Sequence, residues 1–148
     1  MIKYKIATLQ DVPILAVMNQ QLTADEQHRN QFRPLEWFQK RMTAFLSSEY
    51  SAVIFENEEK PVAYALYKNH DEHKDTIYLR QVFVDRSLRR QGIARQAIRI
   101  LINEVWPKDK RITVESLSKN EIAISFYKSV GFTEYSIEFE FKPGVKIT

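Results

Sequence analysis

The chain has 148 residues, 44% of them hydrophobic and 28% charged, which suits one domain with a core of its own. Its 22 Lys+Arg against 19 Asp+Glu leave a formal net charge of +3, too mild a balance to argue for a nucleic-acid surface, and no apolar run approaches the ~20 residues of a membrane span. There is no cysteine, which excludes disulfides, thiolate metal sites and a cysteine nucleophile together.

In chain order, residues 3–7 alternate Ile2, Tyr4 and Ile6 with lysines and read as a first strand. Thr8 or Asp11 can cap a helix that begins near Val12, with Pro13 in the first turn, where its missing N–H costs nothing. Residues 23–34 are polar and read as a loop or a frayed helix. The apolar spacing of Leu35, Phe38, Met42, Phe45 and Leu46 predicts a second amphipathic helix over 35–46. Residues 50–55 and 61–67 are β-rich and flank a polar turn, which predicts a hairpin. Residues 76–84 extend it to an antiparallel meander. A helix follows to about Val105, its face set by Ile93, Ala97, Ile100, Leu101 and Val105, and Pro107 ends it.

Residues 112–117 read as a strand after that helix, expected parallel to the strand before it by a right-handed crossover. Residues 121–130 form the last helix, capped by Ser118 with Glu121 or by Asn120, and stopped at Gly131. Ile137, Phe139 and Phe141 alternate with charged residues, which predicts a half-buried final strand. The expected order is β-α-α-β-β-β-α-β-α-β. It makes a single α/β (α+β) domain over residues 1–148, with a mixed, mostly antiparallel central sheet flanked by helices. The N-terminal Met1-Ile2-Lys3-Tyr4-Lys5 lacks the apolar stretch of a signal peptide, so a cytoplasmic protein is expected.

The segment Arg89-Arg90-Gln91-Gly92-Ile93-Ala94 carries the most chemistry. It stands between a strand and a helix, within a run that also holds Arg80, Arg86, Arg95 and Arg99. A helix start offers N–H groups without intrahelical partners and a partial positive charge. Gly92 lets a ligand approach the backbone, and the arginines add forked donors. The segment lacks the three glycines of a dinucleotide fingerprint and the Gly-Lys-Ser/Thr of a nucleotide P-loop. On its own it could equally be a helix start with solvated arginines.

Val82-Phe83-Val84-Asp85 followed by Arg89–Ala94 resembles the acetyl-CoA signature of the GNAT (GCN5-related) N-acetyltransferase superfamily, Q/R-x-x-G-x-G/A. Asn120, Ala123, Phe126-Tyr127 and Gly131-Phe132 are similar to that superfamily's N-x-x-A-x-x-F-Y-x-x-x-G-F pattern. The resemblance is specific over about residues 77–132 and extends to the whole chain by element order. It implies an acetyl-CoA-dependent transfer to a primary amine by direct attack in a ternary complex, with no metal.

Carried over residue by residue, it implies that the N–H groups of Gln91, Gly92, Ile93, Ala94 and Arg95 hold the pyrophosphate of coenzyme A, with charge from Arg89 and Arg90. The backbone of Val82, Phe83 and Val84 would meet the pantetheine arm. Asn120 would bond the cofactor, or serve only as a helix cap. Tyr127 would protonate the departing thiolate, as a phenol with pKa near ~10 can, although its place in an apolar stripe also fits plain packing.

The general base stays open between Glu115, Glu26 and a water relay, because Arg80 and Gln81 stand where an acid is common in the family. Asp25, Glu26 and Glu36 fall in the region that lines the acceptor pocket of the superfamily, where they could attract a cationic amine. His70 and His73 make an H-x-x-H pair inside a charged loop, read as solvated and not as a metal site. Trp37 and Trp106 read as packing. Expected partners are a small-molecule or peptide amine acceptor, with neither nucleic acid nor membrane, and a homodimer as one assembly open to the chain. Two rival readings are a noncatalytic acyl-CoA-binding or sensing domain of the same fold, and a nucleic-acid module using the arginine run.

Overall fold

The computed structural model describes residues 2–148. They divide into two compact units, Met1–Glu115 and Ser116–Thr148. The first unit holds strands β1 (Ile2–Ile6), β2 (Ser51–Asn57), β3 (Lys60–Asn69), β4 (Thr76–Val84) and β5 (Arg111–Val114), with helices α1 (Val12–Asp25), α2 (Leu35–Leu46) and α3 (Ile93–Ile100). The second holds α4 (Glu121–Ser129).

The sheet is five-stranded in the order β1-β2-β3-β4-β5. The first four strands pair antiparallel and β5 joins β4 in parallel. The mixed, mostly antiparallel sheet expected from the sequence is therefore present, as are the meander and the parallel fifth strand.

The strands at the centre are apolar on both faces, and both faces are covered. On one, Ala52, Ile54, Tyr64, Leu66 and Phe83 pack with Val12, Leu15, Met18 and Met42 of α1 and α2. The alternate residues Val53, Phe55, Ala63 and Ala65 are fully buried and point to the opposite face. There α3, with Ile93, Ala97 and Ile98 buried, packs against β1, β3 and β4. Each fully buried Leu, Ile or Phe contributes about 1.5–3 kcal/mol by leaving water, so these two layers fix how β4 is held.

Local signals explain the helix ends. Thr8 closes a capping box with Asp11 over a 3₁₀ turn ahead of α1. The Thr8 N–H donates to Asp11 at 2.8 Å; that bond first, and Lys5 beside it, hold the Asp11 carboxyl below its ordinary range despite some burial. The helix after Gly92 narrows to α3 and continues as a π-helical turn over Leu101–Val105 before Pro107.

Two expectations are corrected. Residues 137–141 form no strand, and nothing beyond α4 is helix or strand among the described residues. Ile137 and Phe139 are 73% and 88% exposed. Period-two alternation states which side of a strand is apolar, but pairing needs an edge, and the second unit contains no other strand. β5 ends at Val114, not at residue 117, so Glu115 lies just past the strand and is exposed.

Candidate active site

Pairing between β4 and β5 covers only Thr76–Leu79 against Arg111–Val114. Beyond it, β4 runs on to Val84 bonded to β3 alone, with Val82 opposite Ala65, Phe83 opposite Tyr64 and Val84 opposite Ala63. Its other edge is a stretch of backbone that β5 does not pair. Phe83 is buried in the core, so the strand is anchored by the residue between the two whose backbone an added ligand could meet.

The strand then turns. Asp85 accepts from the N–H and hydroxyl of Ser87 at 2.9 and 2.7 Å, starting a 3₁₀ turn over Arg86–Leu88. Arg89 folds back and donates Nε–H to the Val84 carbonyl at 3.2 Å. Arg90 has φ +68° and Gly92 φ +75°. A left-handed arginine costs roughly 1–2 kcal/mol, a local strain that the turn carries. A Cβ at Gly92 would meet nothing within 4 Å. Glycine is therefore favoured by its dihedral, and the space in front of it is open. The first N–H to close on the loop is that of Gln96, on the Gly92 carbonyl at 3.0 Å. The N–H groups of Gly92, Ile93 and Ala94 belong to the set that a helix start leaves without an intrahelical acceptor. Arg89, Arg90, Gln91, Gly92 and Arg95 are exposed, Ala94 half-buried and Ile93 buried.

The neighbouring acids Asp25 and Glu26 take different directions. Asp25, expected beside the acceptor, is 7% exposed and ion-paired with both Arg86 and Arg89. It ties the end of α1 to the loop instead of lining a cavity. Glu26 does line one, a cavity of ≈ 170 Å³ bounded also by Leu22, Thr23, His28, Arg41, Tyr78, Arg80 and Gln81. Glu36 is on the surface, 3.5 Å from Lys40.

The turn that sets Glu26 there is a Schellman motif. Gln27 N–H donates to Ala24 at 3.1 Å and His28 N–H to Thr23 at 2.9 Å, with Gln27 at φ +52° in the position glycine favours. Burial pushes the half-buried Glu26 carboxyl up, opposed by Arg41 and reinforced by Asp25. Burial first, then Arg41 and Arg29, pushes His28 down.

A β-bulge shapes the β4 wall. Gln81 pairs with Leu66 and Leu79 with Tyr67, so Arg80 is the extra residue. That irregularity turns Tyr78, Arg80 and Gln81 all toward the same cavity. Behind it lies a polar network inside the core. Asn19 donates to the Tyr64 hydroxyl at 2.9 Å and to Gln81 Oε1 at 3.2 Å. Tyr64 donates to Gln81 Oε1 at 2.9 Å. Burial raises the Tyr64 phenol far above its ordinary range. Burial also raises Tyr78, with the negative charge of Glu115 adding to it.

In the second unit, Asn120 Oδ1 accepts from Ala123 N–H at 3.2 Å and caps α4. Its carbonyl is thus occupied and its amide N–H₂ is the end left to serve a ligand. Tyr127 sits four residues before the helix stop at Gly131. Gly131 has φ +110°; its N–H donates to Lys128 at 3.1 Å and Phe132 N–H donates to Tyr127 at 2.9 Å. The Tyr127 and Phe132 rings meet edge-on at 5.4 Å. This is again a Schellman motif with its apolar clasp, and it gives F-Y-x-x-x-G-F a physical meaning.

His70 and His73 lie with rings 4.9 Å apart, and His70 Nδ1 accepts from the Glu72 and His73 N–H groups. No cluster of three or more metal-ligating side chains occurs among the described residues. Nor is any helix there long and apolar enough to cross a membrane. Arg41, Tyr78, Asn19 and Tyr64 were not singled out from sequence. The spacing Trp37-Arg41-Phe45, one helical turn on each side, is a signal that could have drawn attention to Arg41.

A mixed sheet whose fourth strand opens an edge and runs into an arginine–glycine turn at a helix start defines an α/β protein with an arrangement that can receive an anionic ligand along a strand. The sequence profile of the acetyltransferase (GNAT) family matches residues 14–132. The chain belongs to that family, and is an N-acetyltransferase by class; acetyl-CoA is the donor that class uses.

Similar solved structures agree in fold. A predicted acetyltransferase from Clostridium acetobutylicum with acetyl-CoA is 17% identical, with TM-score 0.73 over 96% of each chain. An aminoglycoside antibiotic 6′-N-acetyltransferase from Acinetobacter haemolyticus is 17% identical, with TM-score 0.72 over 97% of this chain and 99% of that one. A ribosomal-protein-alanine N-acetyltransferase from Brucella melitensis is 15% identical, with TM-score 0.74 over 96% and 99%. At these identities the likeness is one of fold. No curated protein matches the sequence significantly.

Proposed function

We propose that the chain transfers the acetyl group of acetyl-CoA to a primary amine by direct attack in a ternary complex, acting as one domain over residues 1–148. The observation that carries this reading is the unpaired edge of β4 leading into Arg89–Gly92. The pantetheine arm adds to that edge like a short strand, bonding the backbone of Val82 and Val84. The pyrophosphate lies on the leading N–H groups of α3, over the open space at Gly92. Arg89 and Arg90 supply charge. Because Asp25 holds Arg86 and Arg89, the loop is stiffened before the cofactor arrives, and the pyrophosphate shares Arg89 with that carboxylate. The family match crosses the boundary between the two units, which supports a single working domain, and the motif resemblance gives Asn120 and Tyr127 their roles toward the cofactor.

The amine nitrogen attacks the thioester carbonyl, the tetrahedral adduct collapses, and the C–S bond breaks. Tyr127 gives its phenolic proton to the departing thiolate. The ammonium formed at nitrogen loses its proton to a base. Glu26 is favoured over Glu115, since Glu26 lines the cavity and burial has raised its pKa toward the working range of a general base. Glu115 lies past the end of β5 and acts on the Tyr78 phenol. A cytoplasmic location suits a transferase without cysteine.

A thiol-release assay with acetyl-CoA across amines and peptides, corrected for hydrolysis, tests the reading. Amine-dependent release supports it. Binding of acetyl-CoA with no release on any amine favours an acyl-CoA sensor instead.

A further inference from the structure

The acceptor side of this site is cationic. Asp25 is withdrawn to Arg86 and Arg89, leaving Glu26 as the carboxylate among the residues lining the cavity, against Arg41 and Arg80. Neither of those guanidinium groups has a carboxylate within 4.0 Å among the described residues.

Both are held in place without one. Arg41 lies over Trp37 and Phe45, 5.4 Å from each ring, and donates to Asn19 at 3.4 Å. Arg80 lies over the other side chains of the same group, 5.2 Å from Phe45 and 5.7 Å from Tyr50, and donates to the Tyr50 hydroxyl at 3.1 Å. Phe45 thus braces both cations. Each uses one of its five N–H donors in these bonds, so two rigid forks remain available. Arg41 is half-buried, and its charge is disfavoured first by that burial and also by Arg80, with Tyr64 and Glu26 partly offsetting both. The half-buried Arg41 and the exposed Arg80 thus share the cavity with one carboxylate, Glu26, which offsets Arg41 without an ion pair to it, and an anion completes that arrangement.

We infer that the acceptor is an amine that also carries a carboxylate, an α-amino acid being the smallest example, with its carboxylate held by Arg41 and Arg80 and its amine directed to Glu26. Guanidinium forks match carboxylates in two-point geometry. Glu26 supplies the complementary charge for the ammonium end. Polyamines and aminoglycosides, which bring only positive charge, are disfavoured by the same pair. This rests on the transferase reading for the identity of the second substrate, but the anion-binding pocket does not need turnover to be seen.

The test titrates the common α-amino acids and their α-amides into the protein by calorimetry, and follows thiol release from acetyl-CoA with the same compounds and with a polyamine. Saturable binding of at least one acid, at least tenfold tighter than its amide, is expected. Arg41→Gln and Arg80→Gln should each weaken it about tenfold or more. Arg41→Lys should recover only part, because charge returns without the fork. Since Arg41 also packs on aromatic rings, the acid-against-amide comparison in the unaltered protein decides the matter if that variant fails to fold. Absence of acid binding, equal binding of acid and amide, or preferred turnover of polyamine overturns the inference. Acid binding without release from any amine sinks the transferase reading and keeps the anion pocket.

Discussion

The carbonyl of Tyr127 accepts the N–H of Phe132 at 2.9 Å, and the two rings meet edge-on at 5.4 Å. One helix-stop motif therefore fixes both the backbone and the ring plane of the residue proposed as the general acid.

Tyr127→Phe keeps the ring, its edge contact and the helix stop, and removes only the proton. Turnover should fall at least about tenfold with little change in acetyl-CoA affinity. Steady-state kinetics under conditions where chemistry limits the rate checks this. Unchanged kcat would exclude the role.

Gly92→Ala adds a methyl group to open space but forces a side chain into φ +75°. That strain should cost about 1–2 kcal/mol of stability and raise the KM for acetyl-CoA, while KM for the acceptor stays near its original value. Gly92→Glu places a carboxylate in the phosphate space and should abolish cofactor binding. Calorimetric titration of both variants reads the effect, and a normal dissociation constant for the glutamate variant would contradict the loop assignment.

Glu26 links stability to activity. Its carboxyl pKa is raised by burial, so between the ordinary glutamate value of 4.5 and the raised one the folded state binds a proton that the unfolded state has already released. Stability contributed by the protonated group is present below that window and lost as pH rises through it. At neutral pH, Glu26→Gln should therefore unfold at higher denaturant than the original protein while turning over more slowly. The acid limb of the rate profile, where activity falls as Glu26 is protonated, should disappear with it. Equal stability and an unchanged profile would remove Glu26 as the base.

Tyr64→Phe leaves Asn19 and Gln81 with one fewer partner inside the core. A loss of about 1–3 kcal/mol is expected in chemical denaturation. Gln81 should also lose its fixed orientation toward the cavity, raising the acceptor KM more than the cofactor KM. A variant as stable as the original would mean that a water or a shifted side chain replaces the hydroxyl.

The donor half of this site was legible because its determinants are local. A glycine between arginines and a helix start can be read from adjacent residues, and the meander around it from period-two runs. The acceptor half depends on long-range events. Arg80 and Gln81 face one cavity because β4 carries a bulge opposite Leu66 and Tyr67, and no residue type announces that. Asp25 and Glu26 look equivalent in sequence, yet the Schellman turn at Gln27 sends one to the arginines and the other to the cavity. The alternation at 137–141 was a true pattern that found no strand partner within its unit. Glu115 lost its place on β5 because the parallel pairing stops at Val114.

The most direct measurement of the central claim is amide hydrogen exchange with and without acetyl-CoA. The account predicts that the cofactor protects the N–H groups at the free edge of β4, around Val82 and Val84, together with those of Gln91 to Ala94 at the start of α3. Binding of acetyl-CoA that leaves both segments unprotected would contradict it.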